Sequence, residues 1–364
     1  MLKAADIAFA RMYNQQIAVS GFTKPKDLVA YMGALQAQDY AMAKWAIGLR
    51  VPGSTEAEIE KSLNKGELLR AHVLRPTWHI IPASDIYWML ALSANKIKAL
   101  MQTMDKQLEL TEKIFTKSNA IVEKCLAGGQ HLTREEIAAQ LNKARIHTTE
   151  NRLSHLMLRA ELEGIACNGK STGNKKTYAL LEHRVPKKKQ IGKNESLALL
   201  AATYFNSHGP ATLHDFSWWS GLTLTDARHG LEAVKRQFNC EQLDGQEYWF
   251  AEKIPAPAKK KPRGVHLLPA YDEFIISYKD RTAMLPAEHH KKVLSNNGIF
   301  FPVIIADGQV LGTWKRSFQQ EEMMVEPGFF QSPGKTLLSR VEKKVKALGD
   351  FQGKKARLVT SLHR

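Results

Sequence analysis

Between Gln130 and Leu181 the sequence reads as two helices followed by a basic hairpin, an order that few small folds use. Thr133 and Glu136 have the spacing of a capping box, and Leu132 and Ile137 can staple across it, so a helix opens there and runs to about Arg145. A second helix follows Thr148-Thr149. Leu153, Leu156, Met157 and Ala160 form its apolar stripe, Asn151, Arg152, His155 and Arg159 lie mostly outside that stripe, and Gly164 ends it. Ile165–Cys167 and Thr177–Leu180 then flank a loop of Gly, Asn and Lys that carries Lys170, Lys175 and Lys176. Together these elements spell a winged helix.

The layout recurs from Ser196 to Phe250. A helix spans about Ser196–Asn206, and a second opens after Gly209-Pro210 with Thr212 and Asp215 as its capping pair. A third carries Ala227, Leu231, Val234 and Phe238 inward, and Asp244-Gly245 makes a tight hairpin turn. A weaker copy stands at the N-terminus, with helices near Pro25–Leu35, Tyr40–Leu49 and Thr55–Asn64 and strands at Leu68–Leu74 and Thr77–Ile81. The copies share layout rather than residues. Past Gly264 the character changes: Val265–Leu268, Phe274–Tyr278, Phe301–Ala306 and Val310–Trp314 read as strands, the last two joined by Asp307-Gly308. A helix at Lys335–Leu348 and a strand at Ala356–Thr360 close the chain.

The expected fold class is therefore α+β, with tandem winged-helix (helix-turn-helix) units followed by a small C-terminal β-barrel-like domain. Lysine and proline runs at Arg184–Lys193 and Pro255–Gly264 read as linkers, because proline breaks a helix and like charges extend a chain. The expected boundaries are 1–120, 121–190, 191–258 and 259–364. With 364 residues, more than one core usually supports, several domains are the natural expectation.

Charge narrows the partner. There are 52 Lys and Arg against 36 Asp and Glu, a net +16, and such a surplus favours a polyanion through counterion release. No apolar run approaches the roughly 20 residues that cross a bilayer and no signal peptide opens the chain, so a cytoplasmic, nucleoid-associated protein without membrane contact is expected. Cys125, Cys167 and Cys240 are far apart, form no Cys-x-x-Cys pair, and read as buried thiols. His266, His289 and His290 have no ligand spacing, so no metal is expected. Phosphate loops, nucleophile elbows and zinc-protease motifs are missing, and no cofactor is expected.

Three polar segments remain. In Gly33-Ala34-Leu35-Gln36-Ala37-Gln38-Asp39-Tyr40 two glutamines flank a small apolar residue at a helix junction, and a carboxylate follows. Read alone, they are amides capping helix ends. Arg70–His79 would place Thr77 and His79 on one face of a hairpin, which is ordinary for an outward polar edge. The acids and bases of Leu268–Arg281 could pair with each other at a domain junction.

Taken together, these segments resemble the AlkZ and YcaQ group of bacterial DNA glycosylases. The resemblance rests on Leu35–Tyr40 with Ala43–Arg50, on Leu74–His79, on Leu268–Glu273 with Tyr278–Arg281, and on Asp307-Gly308 with Gly312–Trp314, and it spans about Ile7 to Phe330. The family's catalytic signature, glutamine, apolar residue, then glutamine or aspartate, falls on Gln36, Ala37 and Gln38. Glutamine in the last place favours the AlkZ-like branch. The resemblance implies a monofunctional glycosylase that hydrolyses the bond between deoxyribose and an N7-alkylated purine, extending to interstrand crosslinks, with Gln36 and Gln38 as catalytic residues. Amides suffice in principle because such a purine already carries positive charge and needs no proton to leave; an amide need only position water. Asp39 is the rival water-activating group. Arg75, Thr77 and His79 would lie near the lesion or phosphates, Trp45 and Arg50 would support the catalytic helix, and Tyr271 and Asp272 would brace the barrel junction. Arg152, Arg159, Lys170, Lys175 and Lys176 would contact phosphates of double-stranded DNA. Three unlike units suggest a monomer wrapping its duplex. A winged-helix transcription regulator and a non-catalytic binder are the alternatives.

Overall fold

Three times along the chain a helix leads into a short extended segment, two further helices and a hairpin whose second strand pairs back with that segment. The computed structural model describes residues 4–173, 175–187, 191–251 and 264–359. After α1 (Ala4–Asn14), the first module comprises α2 (Pro25–Met32), β1 (Leu35–Gln36), α3 (Tyr40–Gly48), α4 (Glu56–Lys65), β2 (Leu68–His72) and β3 (Trp78–Pro82), with strand order β1-β3-β2. A long helix, α5 (Ile86–Gln107), leads to the second module: α6 (Glu112–Leu126), β4 (Leu132–Thr133), α7 (Arg134–Lys143), α8 (Arg152–Leu162), β5 (Ala166–Asn168) and β6 (Thr177–Leu180), followed by α9 (Leu181–Arg184). Its strand order, β4-β6-β5, repeats that of the first. The third has α10 (Lys193–His208), α11 (Leu213–Ser220), α12 (Leu224–Val234), β7 (Phe238–Leu243) and β8 (Gln246–Ala251), with Ala211 bridged to Trp249 in place of the short strand.

The last portion holds β9 (Val265–Leu268), α13 (Glu273–Ile276), α14 (His290–Val293), β10 (Val303–Ala306), β11 (Gln309–Gln319), β12 (Glu322–Phe329), α15 (Lys335–Gln352) and β13 (Lys355–Leu358). Its five strands lie in the order β13-β12-β11-β10-β9, antiparallel except for the β12–β13 pair. Asp307 and Gly308 both have positive φ, as the two-residue turn between β10 and β11 requires. No helix among the described residues is long and apolar enough to cross a membrane.

Local sequence explains the helix starts. Thr55 with Glu58, Thr133 with Glu136, and Thr212 with Asp215 each form a reciprocal capping box. The second helix of the first module, α3, is capped instead by Asp39, whose carboxylate accepts the Met42 N–H. Packing then joins the first module to the last portion. Val341, Val345, Leu348 and Phe351 of α15 pack in one core with Val265, Ile304 and Trp314 of the sheet and with Trp45, Ile47 and Ile59 of α3 and α4. Gly48 leaves the space that the Phe351 ring fills. A second core runs from the first module through α5 and α10 to α13, and the second module keeps a core of its own.

Several expectations are corrected. Phe274–Tyr278 is not a strand: Asp272 caps Phe274 N–H at 2.9 Å and starts helix α13, and a short run buried on all sides carries no period by which strand and helix differ. Phe238 opens β7 instead of closing the preceding helix. His155 faces inward, because Asp105 on α5 meets its ring at 2.6 Å. Cys240 is exposed on an outward position of the two-stranded hairpin and Cys125 is half-buried, so Cys167 alone is a buried thiol. The boundary at 120/121 falls inside α6, and the one at 258/259 lies outside the described residues. Of the expected linkers, 188–190 and all of 255–264 except Gly264 also lie outside them.

Candidate active site

Gln36 ends the short strand of the first module, so the segment Gln36-Ala37-Gln38-Asp39 carries the chain from the sheet to the cap of α3. Ala37 turns inward and is fully buried, which separates the two amides: Gln36 is buried and Gln38 is exposed. Gln36 lies opposite His79 of β3. Its side-chain oxygen accepts from Arg75 Nη2 at 2.8 Å. A guanidinium only donates, so the amide NH2 of Gln36 must point the other way. The Ala37 carbonyl is gripped by Arg70 through Nε at 3.1 Å and Nη2 at 2.9 Å. Gln38 is held far more loosely, its oxygen 3.5 Å from the Trp78 N–H.

Behind the glutamines sits a carboxylate. Glu273, at the start of α13, accepts the Gln36 backbone N–H at 2.6 Å on one oxygen, and Trp219 Nε1–H at 3.1 Å and the Ser277 hydroxyl on the other. His208 Nε2 stands 3.7 Å away. Burial alone would raise the Glu273 pKa, but His208, Ser277 and the Gln36 N–H outweigh it and hold the group ionised. Glu273 thus ties the C-terminal portion, α11 and the glutamine strand together at one point.

Around Gln36 lie the residues expected from the second polar segment. His79 is fully buried, and burial, reinforced by Arg75, lowers its pKa to about 3. Its Nδ1 meets the Thr77 carbonyl at 3.0 Å, so Nδ1 carries the proton and Nε2 is a bare acceptor. His79 Nε2, Thr77 Oγ1 and Arg75 Nε are all buried without a partner among the described residues. Leu74, at the turn before them, has φ +62. These three polar groups, close in one turn and strand, have hydrogen-bonding capacity that no other protein group uses.

Asp39 is half-buried and engaged at its helix cap, 3.0 Å from Met42 N. Tyr271, also at positive φ, stands nearby: burial, and then the Asp39 carboxylate, push its hydroxyl pKa up. Trp45 and Arg50 each tie α3 and the turn after it to the C-terminal portion, away from the glutamine side chains. Trp45 donates to the Leu267 carbonyl at 2.7 Å, and Arg50 pairs with both oxygens of Asp272 at 2.8 Å, all of them buried.

Lys170, Lys175 and Lys176 are exposed on the β5–β6 hairpin, and that hairpin leans back onto the first module. Ser171 donates to Glu60 at 2.6 Å, and Lys176 Nζ lies 3.0 Å over the Tyr40 ring. Arg152 and Arg159 are corrected: neither is free. Arg159 makes a two-pronged pair with Glu112 at 2.9 Å and stacks over Phe115, while Arg152 bonds the carbonyls of Leu108 and His147. Both sit against α6 and the end of α5 because periodicity locates a helix face without saying what covers it.

Sequence reasoning missed Glu273 and Arg70. Both stood in segments already singled out, Glu273 after the capping Asp272 and Arg70 in the middle of a hairpin strand, yet their partners lie 237 and 33 residues away in the chain.

A family model described as DNA glycosylase AlkZ-like matches residues 29–351. An interstrand DNA cross-link repair glycosylase of Streptomyces sahachiroi is 24% identical over 333 residues, covering 87% of this chain and 88% of that protein. The solved structure of Streptomyces sahachiroi DNA glycosylase AlkZ superimposes with a TM-score of 0.78 at 22% identity, covering 97% of this chain and 98% of that one, and so shares the fold.

Proposed function

Because this chain belongs to the DNA glycosylase AlkZ-like family, we propose that it hydrolyses the N-glycosidic bond of N7-alkylated purines in duplex DNA, including those held in interstrand crosslinks, with Gln36 and Gln38 positioning the water. The observation that carries the water-positioning reading is the division of labour in the signature. Asp39 spends its carboxylate on the helix cap, while Gln38, one residue away, is exposed and only loosely held. Arg75 turns the Gln36 NH2 away from itself, which makes that group a fixed donor. The Gln38 carbonyl then accepts a hydrogen bond from water, and the Gln36 NH2 helps to orient it.

The chemistry asks little more. Alkylation at N7 makes the purine cationic, so the bond from C1′ to N9 breaks with its electron pair returning to the ring and neutralising that charge. Water oxygen bonds to C1′ and releases its proton to solvent. The carbonyl end of the Gln38 amide dipole faces the developing positive charge on the sugar, a form of electrostatic positioning suited to a labile bond. Arg75 Nε–H and the Thr77 hydroxyl offer donors to the lesion or its flanking phosphate, and His79 Nε2 offers an acceptor to an N–H of the lesion.

The three modules serve as winged helices that hold the duplex, and the monomer supplies all three. Phosphate contacts fall to Lys170, Lys175 and Lys176; Arg152 and Arg159 are already paired. Such contacts position the protein without reading sequence, as damage recognition requires.

The test is incubation with a duplex carrying one N7-methylguanine, and with a duplex crosslinked through guanine N7, followed by alkali to cut abasic sites. Strand cleavage well above spontaneous depurination on either substrate is expected. No cleavage on both would overturn the proposal.

A further inference from the structure

Two large apolar side chains stand in solvent on a loop that packs, through Phe300, against Tyr271, the residue beside Asp39. Ile299 is 42% exposed and Phe301 40%, while Phe300 between them is buried and bridged to Leu294, so the two flank it with their side chains in solvent. Single exposed apolar residues are commonplace, but this pair is displayed on a rigid frame. Ser295 N–H bonds the Ile299 carbonyl at 2.9 Å, Gly298 N–H the Ser295 carbonyl at 3.1 Å, and Phe301 N–H the Val293 carbonyl at 2.9 Å. Gly298 turns the loop at φ +74, and Leu294 bridges to Phe300.

The frame is anchored to the site. The Phe300 ring lies 6.2 Å from that of Tyr271, the neighbour of Asp39. Arg281 lies over Phe300 at 5.1 Å and over Trp218 at 5.3 Å, and its Nη2 is buried without a partner among the described residues. Trp218 belongs to α11, whose terminal Gly221 packs on the Leu74 carbonyl and the Arg75 side chain, and Arg75 holds Gln36. From Lys279 to Phe301 the chain carries four basic residues against two acidic ones.

We propose that Ile299 and Phe301 form a wedge that enters the base stack beside the lesion and holds the duplex open while the purine is released. Apolar tips amid net positive charge match a stack of bases between two rows of phosphates, and apolar wedges unstack a base step in this way. The wedge rests on the reading of the site as a DNA glycosylase centre. It supplies the unstacking that the amides cannot supply, since Gln36 is buried and the exposed Gln38 is neither large nor apolar enough to separate adjacent bases.

The experiment binds the full chain to a duplex with a tetrahydrofuran abasic analogue flanked by 2-aminopurine, whose fluorescence rises when it unstacks. The unchanged protein is expected to raise the signal several-fold on saturation. The Ile299→Ser/Phe301→Ser double variant is expected to abolish most of that rise while binding the duplex within about threefold by anisotropy, and Phe301→Trp is expected to preserve it. Both positions are exposed, and an unchanged melting temperature checks that the fold is retained. An equal rise with the double variant, or no rise with the unchanged protein bound at saturation, overturns the wedge. Release of N7-methylguanine measured in parallel separates the two readings: unstacking without release sinks the glycosylase substrate, and release without unstacking sinks the wedge alone.

Discussion

Glu273 accepts the Gln36 backbone N–H at 2.6 Å, so a carboxylate from the C-terminal portion fixes the strand that bears the signature of the first module. The same carboxylate receives Trp219 and Ser277 on its other oxygen. Glu273→Gln puts an NH2 where an acceptor is needed, or else removes the acceptor from Gln36. A loss of about 1–3 kcal/mol in urea denaturation is expected, together with a fall in single-turnover base release on folded protein, because Gln36 moves.

Arg50 and Asp272 carry a different weight. Their two-pronged pair has no exposed side-chain surface, so Asp272→Asn strands a buried cation and is expected to cost about 3–5 kcal/mol. The similar-looking pair of Arg159 with Glu112 has its acid 79% exposed, and Glu112→Gln is expected to cost at most about 1 kcal/mol. Equal losses in chemical denaturation would contradict this ranking.

Two histidines, His79 buried and His266 half-buried, set an acid limit. Burial, then Arg75, lowers His79 to about 3, and burial, then Lys344 and Arg50, lowers His266 to about 4. Both are neutral in the folded chain and titrate near 6.5 when unfolded. The unfolded state therefore gains protons first: stability present above pH 6.5 is lost as the pH falls toward 4, by about 1.4 kcal/mol per pH unit for each histidine. Glu273, also depressed, adds to the loss only below the ordinary carboxylate range. Denaturation midpoints between pH 6.5 and 4.5 check this, and His79→Leu is expected to flatten the slope by about one proton.

The exposed lysines of the β5–β6 hairpin are expected to act on binding alone. Lys170→Ala with Lys175→Ala should weaken damaged and undamaged duplexes equally and reduce the salt slope by about 0.9 for each phosphate no longer neutralised. Anisotropy titrations across a salt series measure both. An unchanged slope would place the duplex elsewhere.

Local rules make much of this legible. The capping pairs Thr133 with Glu136 and Thr212 with Asp215, and the turns Asp244-Gly245 and Asp307-Gly308, can be read because all their interactions lie within a few residues. The helix α5 gives no such signal, because it carries no side-chain cap at its N-terminus. Asp272 and Glu273 read alike as acids of a domain junction, since what distinguishes them is three-dimensional: one meets Arg50 and the other the Gln36 backbone. The unpaired Arg75, Thr77 and His79 atoms are likewise visible only when the sheet is closed.

The central claim is that an amide, and not the adjoining carboxylate, positions the water. Single-turnover release of N7-methylguanine from a duplex should be compared for Gln38→Ala, Gln36→Ala and Asp39→Asn, each confirmed as folded. Asparagine retains an oxygen for the cap, so Asp39→Asn is expected to stay within a few-fold of the unchanged protein, while each glutamine variant falls by on the order of 100-fold. Full activity in the glutamine variants with loss in Asp39→Asn would contradict the account and make Asp39 the base.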